Sequence, residues 1–175
     1  FVEYDDRYSQ ASTYENLGIV AQDLREYEEA RENYQQSLTI WIEHNDRYNQ
    51  AHTYHNLGNV AYSLKDYEEA RKNYEQALAI FVEYANPYEF ARTYHQLGRV
   101  SKDLKKYEEA KQNYQQALAI YVEFDDRYEQ ARTYNELGRI AHDLIEYEEA
   151  QHNYQQALAI YIEFSDRYEQ ATPYH

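Results

Sequence analysis

The stretch YEEARENYQQSLTI at residues 27–40 returns as YEEARKNYEQALAI at 67–80, YEEAKQNYQQALAI at 107–120 and YEEAQHNYQQALAI at 147–160. A forty-residue period this faithful makes the chain its own alignment, because copies that share a fold can be compared column by column. Residues 46–84 show how one unit folds. Tyr48, Ala51, Thr53, Tyr54, Leu57, Gly58, Ala61 and Leu64 fall at the three-and-four spacing of one helical face, and Tyr67, Ala70, Tyr74, Ala77, Leu78 and Phe81 do so after a break at Lys65 and Asp66. Each unit therefore reads as two helices, A then B.

Local signals agree with that division. Asp126 precedes Glu129 by three, as Asp166 precedes Glu169, and Asn86 stands before Pro87, so helix A starts are marked by capping-box spacing and by proline at the first helical position. Helix B starts less cleanly: Asp66 and Glu69 form a box, whereas Lys106 offers no cap. Glu28, Glu29 and their copies place negative charge in the first turn, where the helix dipole favours it.

Composition sets the outer limits. Of 175 residues 43% are hydrophobic, with 23 tyrosines but only 4 glycines and 2 prolines, which suits long helices and few turns in a soluble, all-helical chain. Nothing approaches the run of about 20 apolar residues that a membrane span needs. The chain opens on Phe1 inside a repeat, without a leader, and is expected to be a piece of a longer array; a cytoplasmic location is the expectation. Without cysteine there is no disulfide or thiolate chemistry. A net charge of -15 argues against general nucleic-acid or anionic-membrane binding, which needs a basic footprint.

Two helices of this length cannot bury an apolar face alone, so units are expected to stack, helix A against its own B and the next A. Glycine at 18, 58, 98 and 138 falls in mid-helix, where it costs about 1 kcal/mol against alanine, and implies close approach of the partner helix. Ala30, Ala70, Ala110 and Ala150 imply the same from helix B.

In the columns held by Ala51, Tyr54, Leu57, Gly58, Ala70, Tyr74 and Ala77 the chain resembles the tetratricopeptide repeat, and the resemblance covers nearly all of it. It implies an all-α, right-handed α-solenoid of antiparallel helix pairs. On this frame residues 1–175 form one array, with repeats at 7–44, 47–84, 87–124 and 127–164 and partial repeats at 1–6 and 165–175. The proline that usually ends helix B is absent, with Ile42, Val82, Val122 and Ile162 instead, and the forty-residue unit implies longer helices. This variant resembles the repeats of cell-polarity adaptors and of bacterial, especially cyanobacterial, arrays.

Column comparison separates scaffold from site. Tyr8, Tyr14, Leu17, Gly18, Leu24, Tyr27, Ala30, Asn33, Tyr34, Leu38 and Ile40 recur unchanged in each full copy. Drift concentrates at Ser12, Glu15, Asn16, Ile19 and Gln22; at His52, His55, Asn56, Asn59 and Tyr62; at Arg92, His95, Gln96, Arg99 and Lys102; and at Arg132, Asn135, Glu136, Arg139 and His142. These columns share one stripe of helix A. The resemblance implies that the stripe lines a concave groove where a peptide or protein segment docks. The last two copies bring Arg92, Arg99, Lys102, Arg132 and Arg139 onto it, a basic strip in an acidic protein. It is read as a clamp for an acidic segment or a carboxylate. The competing reading pairs these cations with Asp103, Asp143 or glutamates of adjacent repeats. The pattern by which some family members grip a terminal carboxylate maps onto His55, Asn59, Gln96, Arg132 and Glu136, where Glu136 has the wrong sign.

Other readings are weighed on the same columns. His52, His55 and His95 could converge, but no cysteine supports a metal site and none is assigned, nor is any cofactor. Asn33, Asn73, Asn113 and Asn153 are expected to hydrogen-bond between repeats. An active site is singular, whereas the paired glutamates recur identically, so no catalytic role is read. An alternative to peptide binding is a spacer, or an element that self-assembles head to tail. Residues 1–4 are read as finishing a helix B and 167–175 as starting a helix A, which Pro173 should disturb, so that uncovered ends invite stacking.

Overall fold

The structure is a computed structural model that describes the backbone of residues 2–171 and the side chains of residues 6–164. Among the described residues eight helices follow one another: α1 (Val2–Asp23), α2 (Tyr27–Glu43), α3 (Arg47–Ser63), α4 (Tyr67–Glu83), α5 (Pro87–Asp103), α6 (Tyr107–Glu123), α7 (Arg127–Asp143) and α8 (Tyr147–Ala171). The described residues contain no strand, and among them no helix is long and apolar enough to cross a membrane. The chain divides into two compact units, Phe1–Thr93 and Tyr94–His175, with the boundary inside α5. In the first unit α1 packs on α2, α2 on α3 and α3 on α4; in the second α6 packs on α7 and α7 on α8.

Helix starts follow the sequence signals. Asp66 and Asp126 accept hydrogen bonds from the backbone N–H groups of Glu69 and Glu129 at 3.2 and 3.1 Å, and Asn86 accepts one from Glu89 N–H at 3.4 Å. Glu26 and Lys106 supply no side-chain cap, and there the first-turn glutamates act through the dipole alone. Helix ends share one device. Lys65 N–H bonds to the carbonyl of Tyr62 and Asp66 N–H to that of Ala61, the paired closure of a Schellman turn. The pivotal residue takes a positive φ at Arg25, Asn45, Lys65, Ala85, Lys105, Asp125 and Ile145, none of them glycine. Each such residue costs about 1 kcal/mol or more, which packing of the next helix must offset.

That balance corrects the reading of the ends. The internal sequences at 44–46, 84–86 and 124–126 turn, but α1 begins at Val2 and α8 runs through Asp166 to Ala171 without a break. Position 166 therefore falls inside α8 rather than before a new helix. The continuous helix keeps its backbone hydrogen-bonded through residues 164–166 without the left-handed residue that the internal turns carry. Pro173 lies outside the described residues.

The core alternates small and large. Ala30, Tyr34 and Ala21 pack with Leu57 and Val60, and Ala110 and Tyr114 pack with Leu137 and Ile140. The mid-helix glycines lie under tyrosine rings of the paired helix: a Cβ on Gly18, Gly58, Gly98 or Gly138 would sit 2.6, 2.6, 2.9 or 2.7 Å from Tyr34, Tyr74, Tyr114 or Tyr154. The asparagine column differs from its reading. Asn33 and Asn73 donate to the carbonyls of Glu29 and Glu69 one turn earlier, each at 3.0 Å, so the bond stays within helix B and does not link repeats.

Candidate functional site

The drifting stripe of α3 builds the site in the first unit. Thr53 and Thr93, small residues each on a buried helix A face, return their hydroxyls to the carbonyls of Asn49 and Glu89. Beside them, His55 is buried, its ring edge-on to Tyr74 at 5.4 Å and its Nδ1 3.3 Å from Thr93 Oγ1. Burial, with Arg92 and His52 nearby, lowers its pKa to about 3, so it is neutral at pH 7. His52 is half-buried against Tyr48 and Phe81, at 4.7 and 5.1 Å, and burial lowers its pKa too. Asn59 accepts the hydroxyl of Tyr74 at 2.8 Å, Asn56 donates to Glu15 at 3.4 Å, and Tyr62 leans on Tyr67 at 5.6 Å.

In the second unit His95 repeats the His55 arrangement, buried and edge-on to Tyr114 at 5.1 Å. Burial and the surrounding Arg132, Arg99 and Lys102 hold its pKa down at about 4, against the opposing pull of Glu136. Two residues assigned to the drifting stripe by column comparison, His55 and His95, are thus each buried within their own unit. Asn135 and Gln96 are half-buried, and Gln96 accepts from Arg99 at 2.8 Å. His142 is exposed, 5.8 Å from the Tyr147 ring. Among the described residues no three histidines or carboxylates are arranged to hold a metal ion.

The cations are partnered by glutamates. Arg92 bonds to Glu89 at 3.1 Å, Arg132 to Glu129 at 2.7 Å and Arg139 to Glu136 at 3.2 Å, each one turn back on the same helix. Lys102 of α5 bonds to Glu136 of α7, a pair that crosses between repeats. The arrangement is lopsided. The side chains of Glu89, Glu129 and Glu136 are only 13%, 20% and 18% exposed, whereas those of Arg92, Arg132 and Arg139 are 46%, 45% and 58% exposed. Carboxylates lie inward and guanidiniums outward, so the face met by solvent is basic. Burial raises the Glu136 carboxyl, but Lys102 and then Arg139 outweigh it and hold it below its ordinary value. The partners Glu89 and Glu129 went unread in the sequence, although Glu-x-x-Arg at 89–92 and 129–132 is the helical spacing that reveals them.

Known proteins place this geometry. A family model described as tetratricopeptide repeat matches residues 9–81 and 89–163. No curated protein matches significantly. Among solved structures, BtubC (BKLC) from P. vanneervenii is 21% identical with a TM-score of 0.84, covering 94% of this chain and 65% of that one. Aspartyl phosphate phosphatase F from Bacillus subtilis is 17% identical with a TM-score of 0.85, covering 91% and 42%. A signal-transduction ATPase with a tetratricopeptide repeat sensor from Pyrococcus horikoshii is 21% identical with a TM-score of 0.84, covering 94% and 26%. The chain spans less than two thirds of each of these proteins, and the likeness shows the fold.

Proposed function

Because the chain belongs to the tetratricopeptide repeat family, we propose that it is a non-catalytic scaffold whose helix A stripe binds a protein segment, and that the stripe of the second unit favours an acidic one. The observation that carries this is the inward placement of Glu129 and Glu136 beneath the exposed guanidiniums of Arg132 and Arg139. Each arginine spends Nη1 on its glutamate, and its remaining N–H groups suit a carboxylate approaching from solvent. Neutral His55 and His95 add no charge at pH 7. Fluorescence anisotropy with length-matched acidic, neutral and basic peptides tests the reading. Acidic peptides should bind more tightly, with affinity falling as salt rises; preference for basic peptides would refute it.

A further inference from the structure

Two acids fall on the drifting stripe, and they are satisfied differently. Glu136 in the second unit is bonded to Lys102 and Arg139. Glu15 in the first unit is half-buried, and the groups that bond it, Trp41, Thr53 and Asn56, are all neutral. Asn56 donates to it at 3.4 Å. Trp41 is 1% exposed, and its indole N–H, which meets no acceptor at close hydrogen-bonding distance, turns to the same carboxylate. Thr53 is no donor to an ionised Glu15 while its one hydroxyl proton goes to the carbonyl of Asn49 at 2.9 Å. The column shows what this seat asks for. His55 stands in α3 where Glu15 stands in α1, with Nδ1 3.3 Å from Thr93 Oγ1; that hydroxyl donates to the Glu89 carbonyl, so the imidazole must be the donor. Asn135, in the same column of α7, carries an N–H as well. A carboxylate does not, unless it takes up a proton. Burial raises the Glu15 carboxyl above its ordinary value, against the hydrogen bonds with Trp41, Thr53 and Asn56.

We propose that Glu15 is a cation-reading subsite, at which a lysine or arginine side chain of the bound segment pairs with the carboxylate. This rests on the scaffold reading and adds to it a chemistry opposite to that of the second unit. Two neutral donors steady the charge of Glu15 without cancelling it, so a half-buried carboxylate is left needing either a proton or a cation. A ligand cation supplies what Lys102 and Arg139 supply to Glu136, with the charge-assisted bonds of an N–H group to a carboxylate. The acid and its indole donor occur together in one repeat: Phe81, Tyr121 and Tyr161 hold the column of Trp41 elsewhere, and none has a ring N–H. The seat belongs to the body of the array. Glu15 faces Thr53 and Asn56 of α3, so a helix before α1, placed as α1 is on α3, would meet Thr13 and Asn16 and leave Glu15 as it is.

Trp41 is the only tryptophan of the chain, so its emission under tryptophan-selective excitation reports this subsite. The probes are a terminally blocked peptide with one arginine among alanines and its citrulline counterpart, which keeps the shape without the charge. The arginine peptide should change the emission saturably, and the citrulline peptide should need at least tenfold more. The response should weaken from pH 7.5 to 5, because protons compete with the cation for a carboxyl whose pKa already lies above its ordinary value. Tyr34 of α2, whose hydroxyl pKa is raised by burial and then by Glu15 and Asp23, stays neutral across that range. Glu15→Gln should lose the discrimination and its pH dependence. It should melt no lower than the parent, since its amide supplies the N–H that Thr53 Oγ1 accepts. Glu32→Gln, an exposed acid of α2 outside the stripe, should change nothing, which separates the subsite from the general pull of a net charge of -15. Equal responses to the two peptides, no response to either, or a preference for arginine that survives Glu15→Gln would overturn the proposal. Acidic-peptide anisotropy is read apart from it. Loss of acidic preference with the Trp41 response intact would overturn the acidic reading of the second unit and leave this subsite standing.

Discussion

The ring of Tyr74 occupies the space that a side chain on Gly58 would need, with Cε1 2.6 Å from the position of a Cβ. The tyrosine is held from its other end by the hydroxyl bond to Asn59 at 2.8 Å, so it cannot swing away at no cost. Gly58→Ala gains about 1 kcal/mol of helix propensity but overpacks the contact by about 1–3 kcal/mol. We expect a net loss of about 1 kcal/mol in urea unfolding, and recovery of stability when Gly58→Ala is combined with Tyr74→Leu. A more stable single variant would mean that the helices are not held this close.

The two buried histidines set a pH dependence. Their folded pKa values, about 3 for His55 and about 4 for His95, lie below the ordinary 6.5. The unfolded chain therefore binds more protons between those values and 6.5, and stability falls as pH drops through that window, by about 1.4 kcal/mol per pH unit for each histidine. The column itself offers the control, since Asn135 stands in the same place in the last repeat. Melting from pH 7.5 to 5 should be steeper for the parent than for His55→Asn with His95→Asn.

Glu136 joins Lys102 and Arg139, and its carboxyl is held below its ordinary value. Glu136→Gln removes that pairing from a largely buried position, leaving Lys102 without its carboxylate. The loss should be about 1–2 kcal/mol, less than for a fully buried pair because some solvent reaches both side chains. Affinity for an acidic peptide should rise at the same time, because the stripe loses a negative charge. Calorimetry and anisotropy on one preparation would check both; a fall in both would mean that Glu136 only shapes the fold.

Much of this was legible in the sequence, and for physical reasons. The period of Tyr74 and Ala70 gives helix B, and the mid-helix glycines announce a close neighbour. Capping at Asp66 and Asp126 is local chemistry that three residues suffice to encode. The depth of His55 and His95 was not legible, because the column that holds them shares a stripe with exposed Arg92 and Arg132 and only the packed neighbours reveal which residues are buried. The asparagine bonds were misread because repetition in step with the core signals a structural role without saying whether the partner is the next repeat or the previous turn.

Ile145 holds a positive φ of 66°, costly for a β-branched side chain, and its side chain is 70% exposed, so little packing compensates. Asn45 takes the same conformation, at φ 54°, in the turn from α2 to α3. Ile145→Asn should therefore stabilise the chain by about 1 kcal/mol, read as a higher thermal midpoint; a lower midpoint would show that Ile145 contributes burial that its exposure conceals.

The central claim is that the outward guanidiniums of the second unit read an acidic segment. Arg132 and Arg139 are exposed and bonded only along their own helix, so Arg132→Gln with Arg139→Gln should leave the melting temperature close to the parent's. Anisotropy with a fluorescent acidic peptide at low salt should then show affinity at least tenfold weaker, a change of about 1.4 kcal/mol or more. Undiminished affinity in the double variant would contradict the account.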